Sequence, residues 1–225
     1  MLNVLCLYAG TGYDISYVRN LKLSLDKCLD TEHRFYILTD RLDQRTELET
    51  LGQIIVLPKL DVKKLWWYKC WMFSSEINLT GTCLYFDLDV IVIKSLDKFI
   101  ARDREFKIIH DFNRSNTNNY NYSNSSIMSW TAGQQTQIWT RFSSESRSVQ
   151  ASMHGDQDFI HVHAQNLSWY PDDWAISFKW EYKLKKLYTP QTSVIVFHGK
   201  PKPQEITDSF LQRRSEEHTS ELQSH

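Results

Sequence analysis

Two aspartates separated by one residue, Asp87 and Asp89, interrupt the run Leu-Tyr-Phe-Asp-Leu-Asp-Val-Ile-Val-Ile at residues 84–93. Residues two apart on a strand share a face, roughly 6 to 7 Å apart along the chain, so both carboxylates can converge on one cation where the strand ends. Burying two like charges in so apolar a run costs several kcal/mol each unless something positive compensates them. A divalent cation is the simplest compensation. Hard oxygen ligands favour Mg²⁺ or Mn²⁺, which commonly complete their coordination with substrate phosphates. The competing explanation is structural: one aspartate caps a turn and the other pairs with a lysine such as Lys94.

His198 directly follows the apolar run at residues 194–197. Open α/β sheets place their ligands at that end of a strand, so a neutral imidazole there is a candidate third metal ligand. Taken alone, such a histidine is more often a hydrogen-bonded surface residue. Lys200, two residues on, offers a point charge to a phosphate. Asp156 follows Gly155 ahead of an apolar helical pattern, where it serves equally well as an N-cap. Lys69 lies in Leu-Trp-Trp-Tyr-Lys-Cys-Trp-Met-Phe. The helical spacing of Trp67 and Trp71 marks them as core, while Lys69 is left open between ligand and packing roles. Trp174, Lys179 and Trp180 are equally open between acceptor stacking and edge packing.

The elements that must position these groups follow from periodicity. Residues 3–8 form a short apolar run ending in Ala-Gly-Thr-Gly, and Val18, Leu21, Leu25 and Leu29 then recur at helical spacing. Residues 34–40 and 53–57 repeat the strand signal, and the aromatic stretch 61–77 is expected to be helical. Residues 84–93 are expected as one central strand buried on both sides, with further strands at 106–111 and 194–197. The Asn- and Ser-dense stretch 113–126 is expected as a surface loop, and residues 129–142 and 156–165 as helices. Strands alternating with helices specify an α/β domain with a mostly parallel sheet covered on both faces.

The near-balance of 26 Lys+Arg against 27 Asp+Glu provides no electrostatic bias toward nucleic acid or an anionic membrane. No window approaches the roughly 18 apolar residues of a membrane span. The four cysteines show no metal-finger spacing and sit beside apolar residues, and a cytoplasmic setting is expected. The apolar start lacks a basic leader and is expected to be a strand. Residues 214–225 look like the translation of a short-read sequencing adapter. The expectation is one domain over residues 1–213 whose natural C-terminus is missing.

Five blocks in order carry a family resemblance: Trp66-Trp67-Tyr68-Lys69, Tyr85-Phe86-Asp87-Leu88-Asp89, Asn124-Ser125-Ser126-Ile127-Met128, His154-Gly155-Asp156-Gln157-Asp158 and Phe197-His198-Gly199-Lys200-Pro201-Lys202-Pro203. On these the chain resembles the GT-A fold glycosyltransferases, in particular the glycogenin and bacterial lipopolysaccharide galactosyltransferase family. The resemblance implies a Rossmann-like GT-A fold and a metal, usually Mn²⁺, bound by Asp87, Asp89 and His198. That metal would hold the diphosphate of a donor such as a UDP-sugar. It further implies that Lys200 contacts the diphosphate, that the turn at Tyr8, Gly10 and Thr11 holds the nucleotide, and that Lys69 reaches donor phosphate or sugar. Asn124, Asp156 and Gln157 would line the sugar and carbohydrate-acceptor side, with retention of the anomeric configuration. Two departures stand out: no tryptophan follows Pro201, and the turn after the first strand lacks the family's Asn-Asp element.

Rival classes are weighed on the same residues. A nucleotidyltransferase also uses paired aspartates and a divalent ion, but generally carries a basic residue in its first glycine-rich loop, and residues 8–12 have none. A glycoside hydrolase needs carboxylates facing each other across a bond at about 5 to 10 Å, which two aspartates of one strand fit poorly. A catalytically inactive sugar-nucleotide-binding protein is the third possibility, against which stands the presence of every candidate ligand.

Overall fold

The computed structural model describes residues 1–102, 104–115, 121–207 and 211. Residues 214–225, expected to be an adapter translation, lie outside the described residues. The principal sheet has seven strands in the order β3-β2-β1-β4-β7-β6-β8: β1 Leu2–Tyr8, β2 His33–Thr39, β3 Gln53–Val56, β4 Thr82–Phe86, β6 Phe106–His110, β7 Ser123–Thr131 and β8 Leu167–Trp169. Strand β7 runs antiparallel to both neighbours, and every other pairing is parallel. A small second sheet joins β5 Val90–Val92, β10 Val194–Val196 and β9 Ala175–Ser177. The expected α/β architecture is what the chain forms.

The alternation of side chains along the central strands divides the core in two. Leu2, Val4, Cys6 and Tyr8 of β1, with Leu84 and Phe86 of β4, pack beneath α1 (Ile15–Cys28) and α2 (Arg45–Leu51). Leu5, Cys83 and Tyr85 face the other way, against residues 65–73, α3 (Thr136–Ser152) and α4 (Asp156–His163). Buried on both faces, these strands read as continuous apolar runs. Helix α1 begins where Asp14 accepts a hydrogen bond from the Ser16 backbone N–H at 2.8 Å, a side-chain cap for an otherwise orphaned donor.

Four expectations are corrected. Residues 84–93 are two strands in two sheets: the β4 ladder continues to β7 through Asp87 N–H to Ser126 O at 2.8 Å. The chain then turns at Leu88, and Phe197 N–H donates to Asp89 O at 2.9 Å, leading into the antiparallel β5–β10 pairing. Both pieces are buried, so hydrophobicity alone does not reveal the turn. The expected loop 113–126 ends in β7, because the polar side chains of Ser123, Asn124 and Ser125 are buried with hydrogen-bond partners rather than solvated. The helix expected at 129–142 consequently starts only at Thr136. The aromatic stretch 61–77 is not α-helical but forms tight 3₁₀ turns at Leu65–Phe73 and Ser75–Ile77.

All four cysteines are free thiols. No helix among the described residues is long and apolar enough to cross a membrane.

Candidate functional site

A cavity of about 520 Å³ opens where β1 and β4 end, beside the crossing into the small sheet. Asp87, Asp89, Asp156 and His198 line it together with Lys69 and Lys202.

Lys69 is the hub of its floor. The backbone turn of residues 65–73 carries it inward, where its side chain is almost wholly buried. Its Nζ lies 2.8 and 3.0 Å from the two Asp87 carboxylate oxygens, 2.9 Å from Ser125 Oγ and 3.6 Å from Asp156 Oδ2. Ser125 in turn donates to Asp156 at 2.6 Å, and Tyr85 OH donates to Asp87 at 2.6 Å. Burial pulls the Lys69 ammonium's pKa down, but Asp156 and Asp87 outweigh it and hold the pKa above its ordinary value. Burial drives the Asp156 carboxyl up despite Lys69. Asp156 is therefore no N-cap: Gly155 occupies that position, and the Asp156 side chain turns into the floor.

Asp89 sits at the opposite wall. Its Oδ2 accepts from Lys202 Nζ at 2.6 Å and from Tyr13 OH at 2.9 Å, and Lys202 also reaches Tyr13 OH at 2.9 Å. Burial, and then Asp87, raise the Asp89 pKa. The lysine at the aspartate pair is thus Lys202, with Lys69 on the other side, and not Lys94, which donates to Pro190 O. Lys200 is exposed, and its ammonium lies 4.0 Å from Glu205.

His198 follows β10 into the cavity wall, stacked on Phe112 with ring centroids 5.2 Å apart and met edge-on by Trp180. Its Nε2 lies 2.7 Å from Ser177 Oγ. Burial lowers its pKa, which favours the neutral imidazole. Among the described residues, no three His, Cys, Asp or Glu side chains are gathered at metal-holding distance. Asp87, Asp89 and His198 line one cavity, with Lys202 bonded to Asp89 there.

The sugar-side residues of the resemblance form one chain of hydrogen bonds. Asn124 Nδ2 donates to Gln157 Oε1 at 3.3 Å, Gln157 Nε2 donates to Asp111 Oδ2 at 2.9 Å, and Asn124 Oδ1 accepts from Ser126 N–H. The nucleotide-turn residues are less centred on the cavity. Tyr8 is buried and donates to Gln44 at 2.6 Å; the Gly10 N–H donates to Asp40 at 2.9 Å; Thr11 is exposed. The adjoining Ala9 and Gly12 line the cavity instead. Trp67 and Trp71 are core, as expected, and Trp174 packs against Phe99 and Tyr170.

Sequence reasoning does not single out Lys202, Tyr13, Ser125 or Asp111. For Lys202 a signal exists, since Lys-Pro occurs twice in succession at residues 200–203; nothing in the sequence separates the two. Tyr13 and Asp111 carry no signal at all, being brought in by a loop and a strand end distant in the chain.

The fold is that of the GT-A glycosyltransferases. The galactosyltransferase LgtC, solved with donor and acceptor sugar analogues, superposes with a TM-score of 0.70 at 15% identity, over 97% of this chain and 95% of that one. The glycosyltransferase GlyE of Streptococcus pneumoniae TIGR4 gives 0.68 at 12% identity, over 100% of this chain and 64% of that one. The bifunctional glycosyltransferase WbbM gives 0.64 at 12%, over 96% and 49%. No protein-family model matches the chain, and no curated protein matches its sequence.

Proposed function

We propose that this GT-A chain is a glycosyltransferase that moves a sugar from a nucleotide-diphosphate donor, a UDP-sugar, to a carbohydrate acceptor, with a divalent cation, Mn²⁺ or Mg²⁺, at the donor diphosphate. The observation that carries the reading is the charge layout of the cavity: carboxylates Asp87, Asp89 and Asp156 against ammonium groups Lys69 and Lys202. With Asp158, which also lines the cavity, four carboxylates stand against two ammonium groups, and burial, then Asp87, raise the Asp89 pKa. That surplus suits a bound cation. Asp87, Asp89 and His198 are the residues that would hold it; the Nε2–H of His198 can be accepted by Ser177 Oγ, which leaves Nδ1 the lone pair a ligand needs. Once bound, the cation supplies Lewis-acid stabilisation of negative charge on the leaving diphosphate.

The protein's own groups divide the remaining work. Lys69 holds Asp87 and Asp156 in fixed positions, because its ammonium is shared between them in a nearly dry floor. Lys202, rather than Lys200, is the lysine placed to move from Asp89 onto the diphosphate, where its charge favours the more negative transition state over the ground state. Asn124 and Gln157, braced by Asp111, present amide donors and acceptors to the hydroxyls of the transferred sugar. Retention of configuration is the stereochemical outcome we infer from the family resemblance, to be read from the anomeric proton of the product by NMR.

The test is release of nucleoside diphosphate from UDP-, GDP- and dTDP-sugars with and without Mn²⁺, alongside a thermal-shift screen of the same donors. Turnover with Mn²⁺ and its disappearance in Asp89→Ala, with unfolding still cooperative, is the expected result. Undiminished turnover in that variant, or in excess chelator, would sink the proposal.

A further inference from the structure

Residues 65–73 are packed almost completely: every side chain from Trp67 to Phe73 is buried. The two residues ahead of them are exposed, Leu65 at 40% and Trp66 at 42%, and Trp66 is the aromatic one, beside Trp67 at 3%. It lines the cavity mouth, and among the described residues no other aromatic ring stacks on it, whereas Trp67 has both Phe142 and Phe159 as ring neighbours. Across from it is Gly155, where a Cβ would stand 3.7 Å from the indole Nε1. A larger side chain there would crowd the Nε1 edge of the ring, which glycine leaves clear; the exposed part of the indole also carries Lys64, whose Nζ lies 5.7 Å from the ring centroid. His154, next in the chain, has a fully exposed side chain, and Asp158 lines the same mouth. The only ion-pair partner of the Asp158 carboxylate among the described residues is His154 Nδ1, at 3.8 Å, beyond hydrogen-bond length. Burial raises the Asp158 pKa, consistent with an acceptor that lacks donors.

We propose that Trp66, Asp158 and His154 form the acceptor subsite, taking a pyranose whose apolar C–H face lies on the Trp66 indole and whose hydroxyls donate to Asp158. The proposal rests on the glycosyltransferase reading above. Its logic is positional: the donor sugar is assigned to Asn124 and Gln157 inside the cavity, so the second sugar must approach from the open side. Trp66 is the aromatic face on that side. Covering the ring with a sugar's C–H face removes apolar surface from water while the sugar's hydroxyls stay with polar groups at the rim.

The experiment is saturation-transfer NMR on the protein with UDP and Mn²⁺, using methyl β-D-galactopyranoside, methyl β-D-glucopyranoside and methyl α-D-mannopyranoside as probes. Wild type is expected to saturate the ring C–H protons of at least one probe. In Trp66→Ala the binding should be about two- to tenfold weaker, and Trp66→Phe should retain most of it. Because Trp66 is exposed, both variants should melt near wild type. The thermal shift produced by UDP is expected to persist in both, and its loss in Trp66→Ala would overturn the proposal by assigning the ring to the nucleotide. Equal saturation in wild type and Trp66→Ala, or none from any probe, overturns it too. Saturation without any UDP-dependent thermal shift in wild type would leave the sugar subsite standing and remove the transferase reading instead.

Discussion

Replacing Lys69 with methionine tests the floor of the cavity directly. Methionine conserves length and apolar stem but deletes the ammonium that lies 2.8 Å from Asp87 and 3.6 Å from Asp156. Each carboxylate keeps a single hydroxyl donor, Tyr85 or Ser125, which cannot neutralise it. Breaking a buried ion pair by removing one partner costs about 3–5 kcal/mol, because the other charge stays buried and uncompensated. For a domain of this size that is a fall in Tm of roughly 6 to 20 °C. The loss should also depend on pH. Asp156 already has a raised pKa in the wild-type fold, and losing Lys69 removes a contribution that lowers it. A carboxyl whose folded pKa is raised favours the fold in its protonated form, so its stabilising contribution is complete below the unfolded pKa of 3.8 and is lost as pH rises through the folded value. Urea denaturation at pH 8 and pH 5 should therefore show a larger deficit at pH 8, and adding Asp156→Asn to Lys69→Met should recover part of it. A deficit below about 1 kcal/mol at pH 8, within reach of a surface ion pair, or one unchanged at pH 5, would refute the reasoning.

Two other measurements bear on the cavity's edges. Gly10 has a φ of +65°, and a Cβ there would run into Leu65 Cδ1; Gly10→Ala should cost about 1–2 kcal/mol from the left-handed backbone alone, read by urea denaturation, and should shrink the thermal shift produced by UDP. Burial depresses the His198 pKa below its ordinary 6.5, so its contribution to stability is present above pH 6.5 and is lost as pH falls through the folded value. His198→Gln should accordingly flatten the Tm-against-pH curve between pH 7.5 and 5 relative to wild type, and parallel curves would show that His198 does not titrate as its burial requires.

The α/β class, the sheet's first strands and α1 are legible in the amino-acid sequence, whereas Asp156 is expected beside Asp87, Asp89 and His198 only from the family resemblance. Apolar runs at the strand period and leucines at the helical period state which faces must be buried, and burial is the strongest term the chain can express locally. That legibility fails where polar residues are buried. Asn124 and Ser125 belong to a central strand, yet their types signal a loop, because residue type does not disclose that Lys69, Asp156 and Gln157 will satisfy them.

What the sequence determined by itself was therefore the set of chemical groups and the layers that carry them: two carboxylates flanking Leu88, a histidine after a strand, and lysines on either side in the chain. Tertiary structure alone decided the pairings. Lys202 and not Lys200 meets Asp89, Tyr13 joins them from the loop ahead of α1, and Trp66 stays partly exposed while Trp67 is packed away. Lys202 and Asp89 are 113 residues apart in the chain. Local propensity extends over a few residues, so contacts across that separation exist only once two sheets and their crossing have brought the ends together.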